Sequence, residues 1–143
     1  MEKSKYSKDI IHELSELLAA LLIMKKSGKF QQAINMIDET LVKHFDFDSQ
    51  NINSVSEDFL IRVYQEKQDL SPAVNDSLAR LLSEKGDFLF AQNRFKESRD
   101  ILNNALTIYF LSNDQQDLFS FERMNKMVII NEKLYRIDLR MGP

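Results

Sequence analysis

Between Arg80 and Tyr109 the chain reads RLLSEKGDFLFAQNRFKESRDILNNALTIY, two stretches of helical apolar spacing separated by three polar residues. Leu82, Phe88 or Leu89, and Phe90 share one side of the first stretch. Phe95, Ile101, Leu102, Ala105, Leu106 and Tyr109 share one side of the second. Gln92, Asn93 and Arg94 break the period, and because Asn tolerates left-handed backbone better than most residues, Asn93 can end one helix while the chain reverses. The spacing predicts an antiparallel helical hairpin. Gly86 lies inside its first helix, where glycine costs about 1 kcal/mol relative to alanine. Close approach of a packed neighbour would offset that cost.

The rest of the chain has little punctuation. Two prolines and three glycines in 143 residues argue against a many-turned β structure and for helices throughout. The length suits one domain that buries most of its apolar surface unaided. An apolar share of 43% and a charged share of 29% are those of a globular chain. The absence of cysteine excludes a disulfide framework, a thiolate metal site and a cysteine nucleophile. A net charge of −3 argues against nucleic acid as a partner, since phosphate-backbone binding needs a surplus of Lys and Arg. The longest apolar run, Leu17 to Met24, is too short to span a bilayer, where roughly 20 residues are needed. Acidic residues precede it and Lys25 and Lys26 follow it, unlike a signal peptide. The expectation is a cytoplasmic protein with no membrane partner.

Taken in order, a first helix is expected from Ser4 or Ser7 to Lys26, with Ile10, Leu14, Leu17, Leu21 and Met24 on one face and Ile11, Leu18 and Leu22 widening it. Ser27 and Gly28 stop it. A second helix runs from Phe30 to about Lys43 with Phe30, Ala33, Ile34, Ile37 and Leu41 in register. An acidic segment follows, in which Ser54 and Glu57 form a capping box for a short helix over about 55–67. Ser71 and Pro72 signal the start of the helix that enters the central hairpin. After a cap-rich junction at Ser112 to Asp117, a last helix is expected over about 118–140. Phe121, Met124, Val128, Tyr135 and Leu139 form its apolar side, and Arg123, Lys126, Lys133, Arg136 and Arg140 a basic stripe opposite. Ile129, Ile130 and Ile137 flank the stripe and need cover, from the N-terminal helices or from a second subunit, so a homodimer is one of the two expectations.

The central hairpin resembles a tetratricopeptide (TPR) repeat, a pair of antiparallel helices about 34 residues long. Leu82, Gly86 and Leu89 match the family's large, small and large sites in the first helix. Phe95 matches its opening aromatic, Ser98 the small site where the helices come closest, and Leu102 and Ala105 the later large and small sites. SGKFQQAI in the first pair matches it at Gly28, Lys29, Phe30 and Ala33, and departs from it at Leu21 and Thr40. Phe30 and Phe95 are 65 residues apart, close to two repeats. The resemblance implies an all-α, TPR-like stack of about six helices acting as a protein or peptide-binding scaffold. The full-length pattern is also similar to an uncharacterised family of small bacterial proteins, which implies the fold and no activity. The family's carboxylate clamp does not carry over: Leu18, Leu22, Ser83 and Asp87 stand at its positions.

Candidate chemistry is sparse. Asp46, Asp48, Gln50, Asn51, Ser54 and Glu57 have the offsets of a calcium-binding helix–loop–helix, but Asn51 stands where glycine is needed. Asp46, Asp48 and Glu57, with His44 nearby, are the weak metal candidates and the basis of the alternative reading, a small metal-binding protein or enzyme. His12 and His44 are the only imidazoles, and neither sits in a nucleophile motif. No glycine-rich phosphate loop is present, so no catalytic residue and no cofactor is expected. The remaining expectation is a non-enzymatic interaction module whose partner surface includes Phe90, Arg123, Lys126, Lys133, Arg136 and Arg140.

Overall fold

The computed structural model describes residues 2–115 and 120–142, and over that range the protein is all-helical with six α-helices and no strand. They are α1 (Glu2–Ser27), α2 (Phe30–Phe45), α3 (Glu57–Gln68), α4 (Pro72–Ala91), α5 (Phe95–Gln115) and α6 (Phe121–Met141), with a single 3-10 turn at Ser49–Asn51. The start of the last helix expected near Leu118 lies outside the described residues. Helix α4 is the hub, packing against α1, α2, α3 and α5, while α6 lies along α5. Its position follows from its surface: Val74, Leu78, Leu81, Leu82, Phe88 and Leu89 form one buried apolar face, which buried Asn75, Ala79 and Gly86 widen to about half the circumference.

The two hairpins reverse by the same turn. Gly28 and Asn93 both take left-handed backbone, with φ of 72° and 62°. In each case the next residue donates its N–H five residues back, Lys29 to the Met24 carbonyl at 3.1 Å and Arg94 to the Leu89 carbonyl at 2.9 Å. Both bonds satisfy carbonyls that a helix end leaves without a partner. Phe30 and Phe95 then open α2 and α5. Each of these pairs is separated by the same 65 residues.

At the α4–α5 crossing the backbones close as the glycine predicts. A β-carbon on Gly86 would lie 2.5 Å from Leu102 Cδ2 and 2.6 Å from its Cγ, so an alanine fits there only if the Leu102 side chain shifts. Ser98, fully buried, donates its hydroxyl to the Gly86 carbonyl at 2.7 Å. The small pair at 86 and 98 thus joins the helices by contact and by a hydrogen bond.

The face expected of α1 is buried at Ile10, Leu14, Leu17, Leu18, Leu21 and Met24, but Leu22 stays exposed. Three features differ from the sequence expectation, two of them helix boundaries. The cap of α3 is Ser56, whose hydroxyl accepts from the Phe59 N–H at 3.1 Å, and the capping box expected of Ser54 and Glu57 does not form. Ser54 instead donates its N–H to the Asn51 carbonyl, closing the 3-10 turn, so the helix starts at Glu57. Helix α5 runs on through the expected junction to Gln115, because Ser112 is buried and continues its inner face.

The third difference concerns α6. Its buried side is Ile130 and Ile137, with Met127 and Leu134 half-buried, and all four face the rest of this chain. The stripe expected as the apolar side of the helix is outside, and it is the flanking Ile130 and Ile137 that are covered: Phe121, Val128, Tyr135 and Leu139 are 52–78% exposed and Met124 37%. The helix carries two apolar stripes on opposite sides, and two ion pairs select the inner one. Arg123 forms a two-pronged pair with Asp76 of α4, at 3.0 and 3.3 Å, and Lys133 pairs with Asp87 at 2.7 Å.

Candidate functional site

Where α6 passes α4 and the end of α1, it leaves a cleft of about 310 Å³. Phe30, Phe88, Phe90 and Leu102 supply its apolar lining, and Lys25, Asp87, Lys133 and Arg136 its charges. The aromatic groups are held by the turns that begin the second helix of each hairpin: the rings of Phe30 and Phe88 lie 6.1 Å apart, and those of Phe90 and Phe95 meet edge to face at 5.2 Å. An apolar cleft with a few convergent polar groups is the usual form of a ligand site, and this volume is at the small end of the range, which starts near 300 Å³.

Its charges are arranged in pairs. Lys25 Nζ donates to Glu84 at 2.7 Å and to Asp87 at 3.4 Å, and lies 5.6 Å above the Phe88 ring. Burial pulls the Lys25 ammonium down, but Glu84 and Asp87 outweigh it and hold its pKa above the ordinary lysine value. It is a charge, not a nucleophile. Asp87 is shared between Lys25 and Lys133, so each lysine is partly neutralised. Arg136 makes no ion pair among the described residues.

The cleft continues along the α4–α6 seam. A second depression of about 190 Å³ shares Lys133 and adds Arg80, Tyr109 and Lys126, and a third of about 140 Å³ shares Arg80 and Lys126 with Arg123 and Asp76. Along this row Lys25, Lys133 and Arg123 are matched by Glu84, Asp87 and Asp76. Arg80, Lys126 and Arg136 are left without an ion pair among the described residues, with Glu122 as a carboxylate at the outer end. A chain whose net charge is −3 therefore lines one groove with a local excess of cations.

Of the six partner residues expected from sequence, Phe90, Lys133 and Arg136 meet in the cleft, and Lys126 lies in the adjoining depression. Arg123 is turned inward, its side chain 12% exposed and locked on Asp76, which raises its pKa. Arg140 stays exposed near the end of α6. Sequence reasoning missed Lys25, Phe30, Phe88 and Arg80. Phe88 and Phe30 carried the spacing of core residues, and no linear pattern marks a lysine at the end of α1 as the neighbour of α6.

The acidic loop takes a different form from a cation cage. Asp48 caps the 3-10 turn, accepting from the Gln50 N–H at 2.9 Å and the Asn51 amide at 3.4 Å. Asp46 ends α2 in left-handed backbone with φ of 60°, and Glu57 begins α3. His44 turns the other way, its Nε2 2.7 Å from Glu13 of α1. The loop is instead a plug: Phe45 and Phe47 are buried, Phe47 meets Phe59 edge to face at 5.2 Å, and Asn53 donates to Glu97 at 2.8 Å. Among the described residues no three His, Asp or Glu side chains are gathered as metal ligands, and no helix is long and apolar enough to cross a membrane. Comparison with protein families, curated proteins and solved structures finds no match for this chain.

Proposed function

We propose that the chain is a short TPR-like interaction module, non-enzymatic, that holds an acidic segment of a partner protein along the α4–α6 seam, with one of the segment's apolar side chains in the cleft of Phe30, Phe88 and Phe90. The observation that carries this reading is the sorting of charge in the groove, where Arg80, Lys126 and Arg136 lack the carboxylates that match their neighbours. Cations with no carboxylate beside them attract an incoming carboxylate, so the groove favours acidic chains and repels basic ones. The repeat reading is supported by the identical reversals at Gly28 and Asn93 and by α4 packing on both helices of the first hairpin.

The test is an array of labelled acidic peptides, each carrying one leucine or phenylalanine, titrated by fluorescence anisotropy beside basic counterparts. Binding should be confined to acidic peptides, weaken as salt rises, and fall by about tenfold or more in Arg136→Glu, a loss of about 1.4 kcal/mol. Arg136 is exposed and has no hydrogen bond or ion pair among the described residues, so the variant should keep its helical content. Failure of the whole array to bind, or equal binding by Arg136→Glu, would remove the groove as the site.

A further inference from the structure

The outer stripe of α6 stands apart from the groove and needs its own explanation. Met124, Val128, Tyr135 and Leu139 are 37%, 52%, 65% and 65% exposed, and Phe121 at the start of the same line is 78% exposed. Together the five offer roughly 550 Å², at the top of the range for the largest apolar patch on a monomer. Each partner of a standard interface contributes about 800 Å². Half-exposed Ile129 and the stems of Asn131, Glu132 and Arg140 lie beside the stripe and can supply much of the difference.

We propose that this face pairs with the same face of a second copy, the two α6 helices lying antiparallel about a two-fold axis near Ile130 and Asn131. The stripe is self-complementary in that arrangement. Residues whose numbers sum to about 260 come opposite one another, so Phe121 meets Leu139, Met124 meets Tyr135, and Val128 meets the Asn131–Glu132 stretch of the other copy. Glu122 then faces Arg140 twice, once at each end, and these are the charges that suit the N-terminal and C-terminal turns of their own helix. A parallel pairing would set Glu122 against Glu122 and Arg140 against Arg140, and would align the helix dipoles unfavourably. An interface of this kind is isologous and closes at two copies. Its area lies at the low end for a specific interface, the class in which association is weak and concentration-dependent. The centre of the pairing, Met124, Val128, Tyr135 and Leu139, does not line the groove, while Glu122, Ile129 and Arg136 border both faces.

The experiment is sedimentation equilibrium of the full chain, followed by cysteine cross-linking, which the absence of native cysteine makes clean. The wild type should pass from the 16.8 kDa monomer to twice that mass as concentration rises through the micromolar range. Val128→Glu places two like charges near the axis and should weaken association at least a hundredfold with helical content unchanged. Under mild oxidation Asn131→Cys should cross-link to itself. Glu122→Cys should not, since its two copies lie about 24 Å apart along antiparallel helices, but it should cross-link when mixed with Arg140→Cys. A monomer at every concentration, a dimer indifferent to Val128→Glu, or self-linking of Glu122→Cys would each overturn the proposal.

Discussion

Lys85 carries an ammonium to a position with no solvent exposure, where its Nζ lies 2.6 Å from Asp38 Oδ1 and, among the described residues, neither atom has any other partner. Burial pushes its pKa below the lysine value, and the Asp38 carboxylate offsets this only in part. The two partners are not equivalent. Asp38 is 28% exposed and borders an open depression, so its carboxylate can hydrate if the lysine is removed, whereas the lysine has no such recourse. Asp38→Asn should therefore cost about 3 kcal/mol by stranding a buried charge, while Lys85→Met should change stability by less than about 1 kcal/mol or raise it. Urea unfolding midpoints at constant slope measure both, and equal losses would show that charge is not what holds the pair. This pair was not legible in the sequence, because nothing local marks Asp38 of α2 and Lys85 of α4 as partners.

At the scale of the element, the α4–α5 hairpin was legible almost entirely, because its signals are local: a helical period, an Asn able to take left-handed backbone, and a glycine that only close packing explains. Gly86→Ala should cost about 1–3 kcal/mol, the helix propensity it gains being outweighed by overlap with Leu102. Leu102→Ala alone should cost about 2–5 kcal/mol. Combined, the two should cost at least about 1 kcal/mol less than their sum, since each relieves the crowding of the other; strict additivity in thermal or urea unfolding would show that the helices do not meet there. Helix α6 was misread for an equally physical reason. It has one apolar stripe at Met127, Ile130, Leu134 and Ile137 and another at Phe121, Met124, Val128, Tyr135 and Leu139, and periodicity alone ranks neither as inner. The reach of Arg123 to Asp76 and of Lys133 to Asp87 decides it, and that reach exists only once α4 is in place.

At the scale of the whole molecule, the paired carboxylates make stability rise with pH on the acid side, while the raised pKa of Lys25 opposes Lys85 on the alkaline side. Hydrogen bonding to Arg94 lowers the Glu97 pKa against the opposing effect of burial, and His44 and Lys43 do the same for Glu13. A depressed carboxylate contributes stability that is fully present above its unfolded value of 4.5 and is lost as pH falls through the lower folded value. Lys85 acts in the same direction at the alkaline end: between its lowered pKa and 10.5 the unfolded chain binds more protons than the folded one, so stability again rises with pH. Acid unfolding followed by circular dichroism should accordingly show a loss of stability below pH 4.5 that is shallower in Glu97→Gln; an unchanged acid limb would show that the Arg94–Glu97–Asn53 link between the loop and the hairpin carries no weight.

What the sequence determined unaided is everything that depends on neighbours within a turn or two: the helical class, the approximate position of all six helices, the reversals at Gly28 and Asn93, and the close crossing at Gly86 and Ser98. Tertiary structure decided which side of α6 turns inward, that the acidic loop becomes a plug by burying Phe45 and Phe47, and that Lys25, Phe30, Phe88 and Arg136 share one cleft. Those outcomes depend on groups far apart in the chain, such as Lys25 and Lys133 competing for one Asp87 carboxylate, and no local spacing encodes a distance between residues that only the packed helices bring together.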